Sequence, residues 1–264
     1  MSKGILKFQD VTIRYAGRDR PAVDKVSLQV PKRSIVAIAG ESGSGKSTLI
    51  RSVVRLLSAD GKITEGHIVF DGMDLACGGV KMEQVRQLCG TRISLIFQDA
   101  GLYLDSRRTI GYQYVEAIRS HRKVSKKEAK AMAIAMLERM GLPSGEHMMR
   151  SYPFELSGGM KQRVAIAMAM TMEPELLLAD EPTSALDVTI QAQVVRQMMR
   201  LRDEFGTSII MVTHNMGVAS YMSDYIAVMR QGRLVEWGTR DEIIESPKED
   251  YTRLLLNTAP RLKW

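Results

Sequence analysis

The chain has 264 residues, 45% apolar and 25% charged, an ordinary globular composition with ample material for a buried core. Its 37 Lys and Arg against 30 Asp and Glu leave a charge of +7, which suits anionic ligands, a membrane surface or nucleic acid without choosing among them. Only 6% of residues are aromatic, which disfavours base-stacking platforms, and the two cysteines, Cys77 and Cys89, make neither a disulfide framework nor a metal site. The start, Met1-Ser2-Lys3-Gly4-Ile5, lacks the apolar core of a signal peptide. No run approaches the roughly 18 apolar residues of a membrane span. Secreted, fibrous, disordered and integral-membrane classes are excluded, and the expectation is a cytosolic globular protein.

The first third reads as short strands. Ile5 to Tyr15 is interrupted by a turn-like Gln9-Asp10, Ala22 to Val30 alternates loosely, and Gly66 to Phe70 runs into an Asp71-Gly72 turn. Between them, Ser34 to Ala39 is a continuous apolar run ending in glycine, the pattern of a strand buried on both faces. A helix is expected over Ser47 to Leu57. The middle changes character: residues 99–156 read as helical and polar. There Ser125-Lys126-Lys127-Glu128 forms a capping box, Met132, Met136, Leu137 and Met140 recur at helical spacing, and Gly141 is the stop. The basic stretch from Arg119 to Lys130 reads first as a solvated helical face, with a membrane or partner contact as the other possibility. The methionines at helical spacing read as core packing.

The last hundred residues alternate again. Leu176 to Ala179 and Ser208 to Val212 are short apolar runs separated by a helix over Gln191 to Phe205. Tyr225 to Met229 and Arg233 to Trp237 flank Gln231-Gly232, a hairpin signal. Strands alternating with helices in this order predict an α/β fold with a mainly parallel sheet.

Gly40-Glu41-Ser42-Gly43-Ser44-Gly45-Lys46-Ser47, followed by Thr48, fits G-x-x-x-x-G-K-[ST] and lies directly after a buried strand and before a helix. Its glycines let successive backbone N–H groups point at phosphate oxygens, and the helix N-terminus adds positive potential. Lys46 is the residue to reach the β- and γ-phosphates, and the Ser47 hydroxyl is the Mg²⁺ ligand. Leu176 to Ala179 ends in Asp180-Glu181, carboxylates at the ligand-binding edge of such a sheet. Asp180 is a candidate Mg²⁺ holder, and Glu181 is placed to polarise a water attacking the γ-phosphate. Upstream, in Leu156-Ser157-Gly158-Gly159-Met160-Lys161-Gln162-Arg163, Ser157 reads as an N-cap and the glycines expose N–H groups at the mouth of an apolar helix over Val164 to Met172. That is a second anion-binding helix end in one chain, and a small-molecule phosphotransferase leaves it unexplained.

This octet resembles the signature motif of ATP-binding cassette (ABC) ATPases, and the other family motifs follow in order. Gln98 resembles the Q-loop, Ser184-Ala185-Leu186-Asp187 the D-loop, His214 the switch histidine, and Tyr15 the aromatic that stacks on adenine. The resemblance covers about residues 5 to 256. It implies a P-loop nucleoside triphosphate hydrolase core with an N-terminal antiparallel β subdomain and a helical subdomain, as one cassette over residues 1–264. The core and β part are expected at 1–90 and 161–264, and the helical signature-bearing part at 91–160. It further implies a sandwich dimer in which ATP, held with Mg²⁺ by Lys46 and its loop, is closed over by Ser157, Gly158 and Gly159 of the opposite subunit. Glu181, His214, Lys46 and Gln98 are then the catalytic residues. Tyr15, the loop from Gly40 to Thr48, Ser157 to Gly159 and Asp187 bind nucleotide, and Ser47, Gln98 and Asp180 serve the metal.

Tyr152 to Met160, with Met following the glycines, and Ser246-Pro247 with Tyr251 to Leu255 are similar to importer ATPases of the dipeptide/oligopeptide/nickel group. That likeness implies two integral-membrane permease subunits, a second ABC ATPase subunit, an extracytoplasmic solute-binding protein and no nucleic acid. The expected place is peripheral, on the cytoplasmic face of the inner or plasma membrane. Two features depart from the group. Ala100 to Ser106 replaces a Pro-containing run near where a permease would dock, and the sequence stops at Trp264 without a Cys-rich tail, which leans toward nickel-type members. An export ATPase, or a soluble cassette protein acting on DNA or ribosomes, are the alternatives.

Overall fold

The structure is a computed structural model and describes residues 4–76, 78, 80–184 and 186–258. The expectations for Cys77, Ala185 and Trp264 lie outside the described residues. The chain opens with β1 (Gly4–Tyr15), β2 (Val23–Pro31), β3 (Ile35–Ala39), α1 (Lys46–Val53), β4 (Gly61–Phe70), β5 (Met73–Asp74), α2 (Met82–Leu88) and β6 (Ile93–Ile96). Helices α3 (Ile110–His121), α4 (Lys126–Arg139), α5 (Gly145–Arg150) and α6 (Gly158–Met170) follow, with short 3-10 turns at Ala100–Tyr103 and Pro153–Glu155. The last part is β7 (Leu176–Asp180), α7 (Val188–Phe205), β8 (Ser208–Thr213), α8 (Met216–Met222), β9 (Tyr225–Arg230), β10 (Arg233–Thr239), α9 (Arg240–Glu245) and α10 (Asp250–Thr258).

Six strands form the central sheet in the order β10-β9-β3-β8-β7-β6. Its neighbours are parallel from β9 to β6, and only β10 is antiparallel. The apolar run of β3 is buried at every position because it packs on both faces: Ile35, Ala37 and Ala39 join the cluster under the helices, while Val36 and Ile38 join the cluster under β1, β2 and α1. The second sheet, β2-β1-β4-β5, is antiparallel and covers that latter face.

Three expectations are corrected by this packing. Gln9-Asp10 does not break the first strand: Asp10 takes a φ of 48° and the register shifts there against both β2 and β4, so the pair is a bulge within one strand. Helix α1 stops at Val53 rather than Leu57. Arg55 turns out with φ 54°, and its guanidinium donates to Leu75 O and Ala76 O, both at 2.7 Å, which ties the helix end to the β5 turn. Residues 93–96, expected in the helical part, pair in register with Leu176 to Ala179 as the edge strand of the central sheet, and the expected boundary at 160/161 falls inside α6. Among the described residues no helix is long and apolar enough to cross a membrane.

Candidate functional site

The loop after β3 turns back into α1 because glycines stand where side chains do not fit. Gly40 has φ 146° and Gly45 φ 97°; a Cβ on either would lie 2.1 Å from Met229 O or 2.2 Å from Ala22 O. Gly45 caps α1 without a side-chain bond, leaving the first-turn N–H groups available to an anion. Lys46 is only 4% exposed, and its Nζ donates to Gly40 O (2.8 Å), Glu41 O (2.6 Å) and Ser44 Oγ (3.3 Å). Burial pushes its pKa below the ordinary lysine value, with the charges of Glu181, Asp180 and Glu41 pulling partly the other way.

Asp180 ends β7 with 0% exposure. Its carboxylate is fully engaged: Ser47 Oγ donates to Oδ1 at 2.6 Å, and Arg51 donates to Oδ2 from Nε at 3.1 Å and Nη2 at 2.7 Å. Ser47 and Arg51 are four residues apart and share a face of α1, so that spacing was the signal for Arg51 that the sequence reading missed. Next to Asp180, Glu181 adopts φ 46°, a costly shape for glutamate, and its Oε2 lies 3.1 Å from Nδ1 of His214. His214 follows β8, so two neighbouring parallel strands deliver the pair to one edge.

Lys46, Ser47, Glu181 and His214 face an open pocket of about 780 Å³. Of the expected site residues, Tyr15, Ser42, Gly43, Gly45, Lys46, Ser47, Thr48, Gln98, Glu181 and His214 line it. Gly40, Glu41, Ser44 and Asp180 do not; the Glu41 N–H donates instead to Tyr251 Oη at 3.1 Å. At the far end Tyr15 Oη sits 3.3 Å from Thr48 Oγ1, and the Arg18 guanidinium lies 5.7 Å from the Tyr15 ring centroid. Arg18, Ser58 and Asp60 also line this end. No spacing announced them, because the Ala16 N–H to Asp60 O bond (3.0 Å) that joins the two loops links residues far apart in sequence.

The second glycine helix end lies elsewhere. Ser157 caps α6 by accepting from Met160 N–H at 3.3 Å, and neither it nor Gly158 or Gly159 lines the pocket of Lys46. Gly158 opens instead into a smaller pocket of about 190 Å³ with Lys161, Gln162, Pro182 and Ser184, to which Glu181 also contributes. Buried Gln162 ties α6 to the segment after Glu181 by donating from Nε2 to Pro182 O at 2.7 Å. Asp187 lines neither pocket; it caps α7 by accepting from Ile190 N–H at 3.0 Å.

A buried parallel strand feeding a glycine loop into a helix, with a loop lysine and strand-end carboxylates at one edge, defines a P-loop nucleoside triphosphatase. The ABC transporter family model matches residues 23–184, more than half of the chain, and the protein belongs to that family as an ATP-hydrolysing transport cassette. The oligopeptide transport ATP-binding protein AmiE of Streptococcus pneumoniae is 40% identical over 262 residues, which is 98% of this chain and 73% of that one. The dipeptide transport ATP-binding protein DppD of Bacillus subtilis is 40% identical over 261 residues, 98% of this chain and 77% of that one. The solved ATP-binding cassette MJ0796, a dimer in a post-hydrolysis state bound to ADP and Pi, has a TM-score of 0.78 at 27% identity over 89% of this chain and 98% of that one. For cbiO1 from Clostridium perfringens, part of the ABC transporter complex cbiONQ, the TM-score is 0.77 at 28% identity over 93% and 92%.

Proposed function

We propose that this cassette hydrolyses Mg·ATP in a sandwich dimer to energise an importer of small peptides, nickel or a chelated metal, docked on two separate permease subunits and paired with a second ABC ATPase. An external solute-binding protein would deliver the solute, which the cassette never touches. The observation that carries the chemistry is the Glu181–His214 pair at 3.1 Å, facing the same pocket as Lys46. Glu181 orients and polarises the attacking water, and His214 holds Glu181 and reaches toward the γ-phosphate. Lys46 leaves its own loop carbonyls for the β- and γ-phosphates, while the first-turn N–H groups of α1 cradle them. Tyr15 stacks on adenine, and Gln98 reaches in from the loop after β6.

The pair of hard oxygen donors on Ser47 and Asp180 fits Mg²⁺, which usually takes one or two protein ligands plus phosphate oxygens and water. When bound, Mg²⁺ supplies neutralising charge on the β- and γ-phosphates. Ser157 to Gly159 of the opposite subunit would close over the γ-phosphate, which accounts for their place outside the pocket of Lys46.

A groove of about 340 Å³ between β6 and the helices offers the docking surface. It is lined by apolar side chains including Phe97, Tyr103, Tyr114, Ile118, Met168 and Met172, and it sits beside Gln98. Tyr103, which lines it, is 68% exposed, and the neighbouring Leu102, which lines the smaller pocket beside Gly158, is 80% exposed, both in the segment that departs from the importer group. The peptide reading draws on the oligopeptide and dipeptide transport relatives. Its test is to capture tagged Glu181→Gln with ATP from gently solubilised native membranes and identify what accompanies it. Two polytopic permeases and a second cassette are expected. Export-type membrane proteins, or ribosomal or DNA-bound partners without any membrane protein, would overturn the importer assignment.

A further inference from the structure

The C-terminal helix α10 was legible only as a group resemblance, and nothing in the ATP chemistry above uses it. In the fold it reaches the phosphate loop. Tyr251, in the first turn of α10, is nearly buried, and its Oη accepts the N–H of Glu41 at 3.1 Å. The same residue's carbonyl accepts from Lys46 Nζ at 2.6 Å, so Glu41 carries the helix on its amide side and the phosphate-binding lysine on its carbonyl side. The tyrosine ring is itself held, with the Arg230 guanidinium 4.7 Å from its centroid. Arg230 ends β9 directly after Met229, whose carbonyl is the atom pressed against Gly40. The start of α10 hangs on β10, because the Lys248 and Glu249 N–H groups donate to the Glu236 carboxylate at 2.7 and 3.3 Å. Burial alone would raise the Glu236 pKa, but the Thr252 side chain and then those two N–H groups outweigh it and hold the carboxyl below the usual glutamate range.

We propose that Tyr251 is a positioning residue for the phosphate loop: its hydroxyl fixes the Glu41 amide, and so the carbonyls that hold Lys46 ready, which makes nucleotide affinity depend on how α10 is seated. The inference rests on the reading of Gly40 to Thr48 as the phosphate cradle. A peptide group pinned on one side rotates less, so Lys46 starts from one defined place and the cradle N–H groups stay aimed at the pocket. Glu236 acts one step further back, as the anchor of the segment that presents Tyr251.

Tyr251→Phe tests this, since it keeps the ring and its arginine contact and removes only the acceptor. The KM for ATP is expected to rise ~3–10-fold, the range one neutral hydrogen bond supplies, with kcat changed less than about twofold. Amide exchange in the peptide containing Glu41 is expected to quicken while that of the β3 core stays slow. Glu236→Gln should shift KM the same way and less. An unchanged KM, a fall in kcat alone, or unchanged exchange at Glu41 would overturn the proposal. Lys46→Ala run alongside separates the two layers. If it still binds ATP like the wild type, the cradle reading fails; if it loses binding while Tyr251→Phe matches wild type, only the tether fails.

Discussion

Helices α1 and α6 both open at a glycine, Gly45 as the cap of the first and Gly158 as the first residue of the second, and they open in opposite ways. At α1 the cap is Gly45, which spends no side chain on the first-turn amides, and behind them stand a buried lysine and a buried aspartate. At α6 the cap is Ser157, whose hydroxyl takes up the Met160 N–H, and a Cβ at Gly158 would meet nothing within 4 Å. The first end is walled in, supplied with charge and open to a pocket of about 780 Å³; the second is presented at the surface beside one of about 190 Å³. The first end has the build to hold an anion by itself, whereas in the proposed sandwich dimer the second is brought to one by the partner subunit. Glu181 lines both pockets, and under the proposed function it is the residue that handles the attacking water.

The largest expected effect falls on that shared residue. Glu181→Gln keeps the size and most hydrogen bonding of the side chain but removes the carboxylate, so hydrolysis should fall by about 10²–10⁴-fold while ATP is still bound. Single-turnover hydrolysis and nucleotide titration on one preparation check this, and near wild-type turnover would remove Glu181 from its role. Ser157→Arg then divides the two helix ends. It should lower turnover by about 10²-fold, as expected for losing one preorganised donor at the transition state. ATP affinity of the isolated chain should stay within about twofold of wild type, because neither Ser157 nor its glycines touch the pocket of Lys46. A matching loss of affinity would mean that both ends serve one site within a single chain.

The unequal legibility of the two ends follows from what each is made of. The α1 end is local, since strand, glycines and lysine are contiguous and the apolar run Ile35–Ala39 announces a strand buried on both faces. Its proposed role could be read from residue types alone. The support behind it is not contiguous: Asp180 reaches Ser47 and Arg51 across two parallel strand pairings, and Tyr251 reaches Glu41 from the other end of the chain. The same limit explains β6. Four residues of apolar sequence leading into a helical stretch do not say which sheet they will join, and only the pairing with Leu176 to Ala179 assigns them to the core. The bulge at Asp10 looked like a turn because both use a residue of positive φ, and the difference lies in the two partner strands that continue past it.

The support can be weighed directly. Arg51→Met removes the cation facing a carboxylate of 0% exposure, leaving a buried charge with only Ser47 as donor. Fully buried pairs cost about 3–5 kcal/mol when broken this way; with the Arg51 side chain 36% exposed, solvent reduces this to about 2 kcal/mol. Urea unfolding is the measurement. Ser157→Ala at the other helix end removes only a cap and should cost about 1 kcal/mol. If the two losses came out equal, the α1 end would be no more built than the α6 end.

The smallest effect is the one that ties binding to stability. Burial lowers the pKa of Lys46, so the unfolded chain holds that proton more tightly than the folded one. Below the lowered pKa both forms are protonated and the fold carries the full cost of a desolvated ammonium. As pH rises from the lowered pKa toward the ordinary lysine value, the folded state sheds the proton first, and stability increases. ATP affinity should move the other way across the same window, falling a few-fold as the positive charge facing the phosphates is lost. Comparing wild type with Lys46→Met between pH 7 and about pH 10 isolates the group, since every other lysine titrates in both proteins. The stability difference between them should narrow with pH as the wild-type ATP affinity declines. A difference that stayed flat would mean that Lys46 is not desolvated by its own loop. At the α6 end the partly buried cation is Arg163, a guanidinium that keeps its charge over this range, so turnover losses caused by Ser157→Arg should keep the same size throughout.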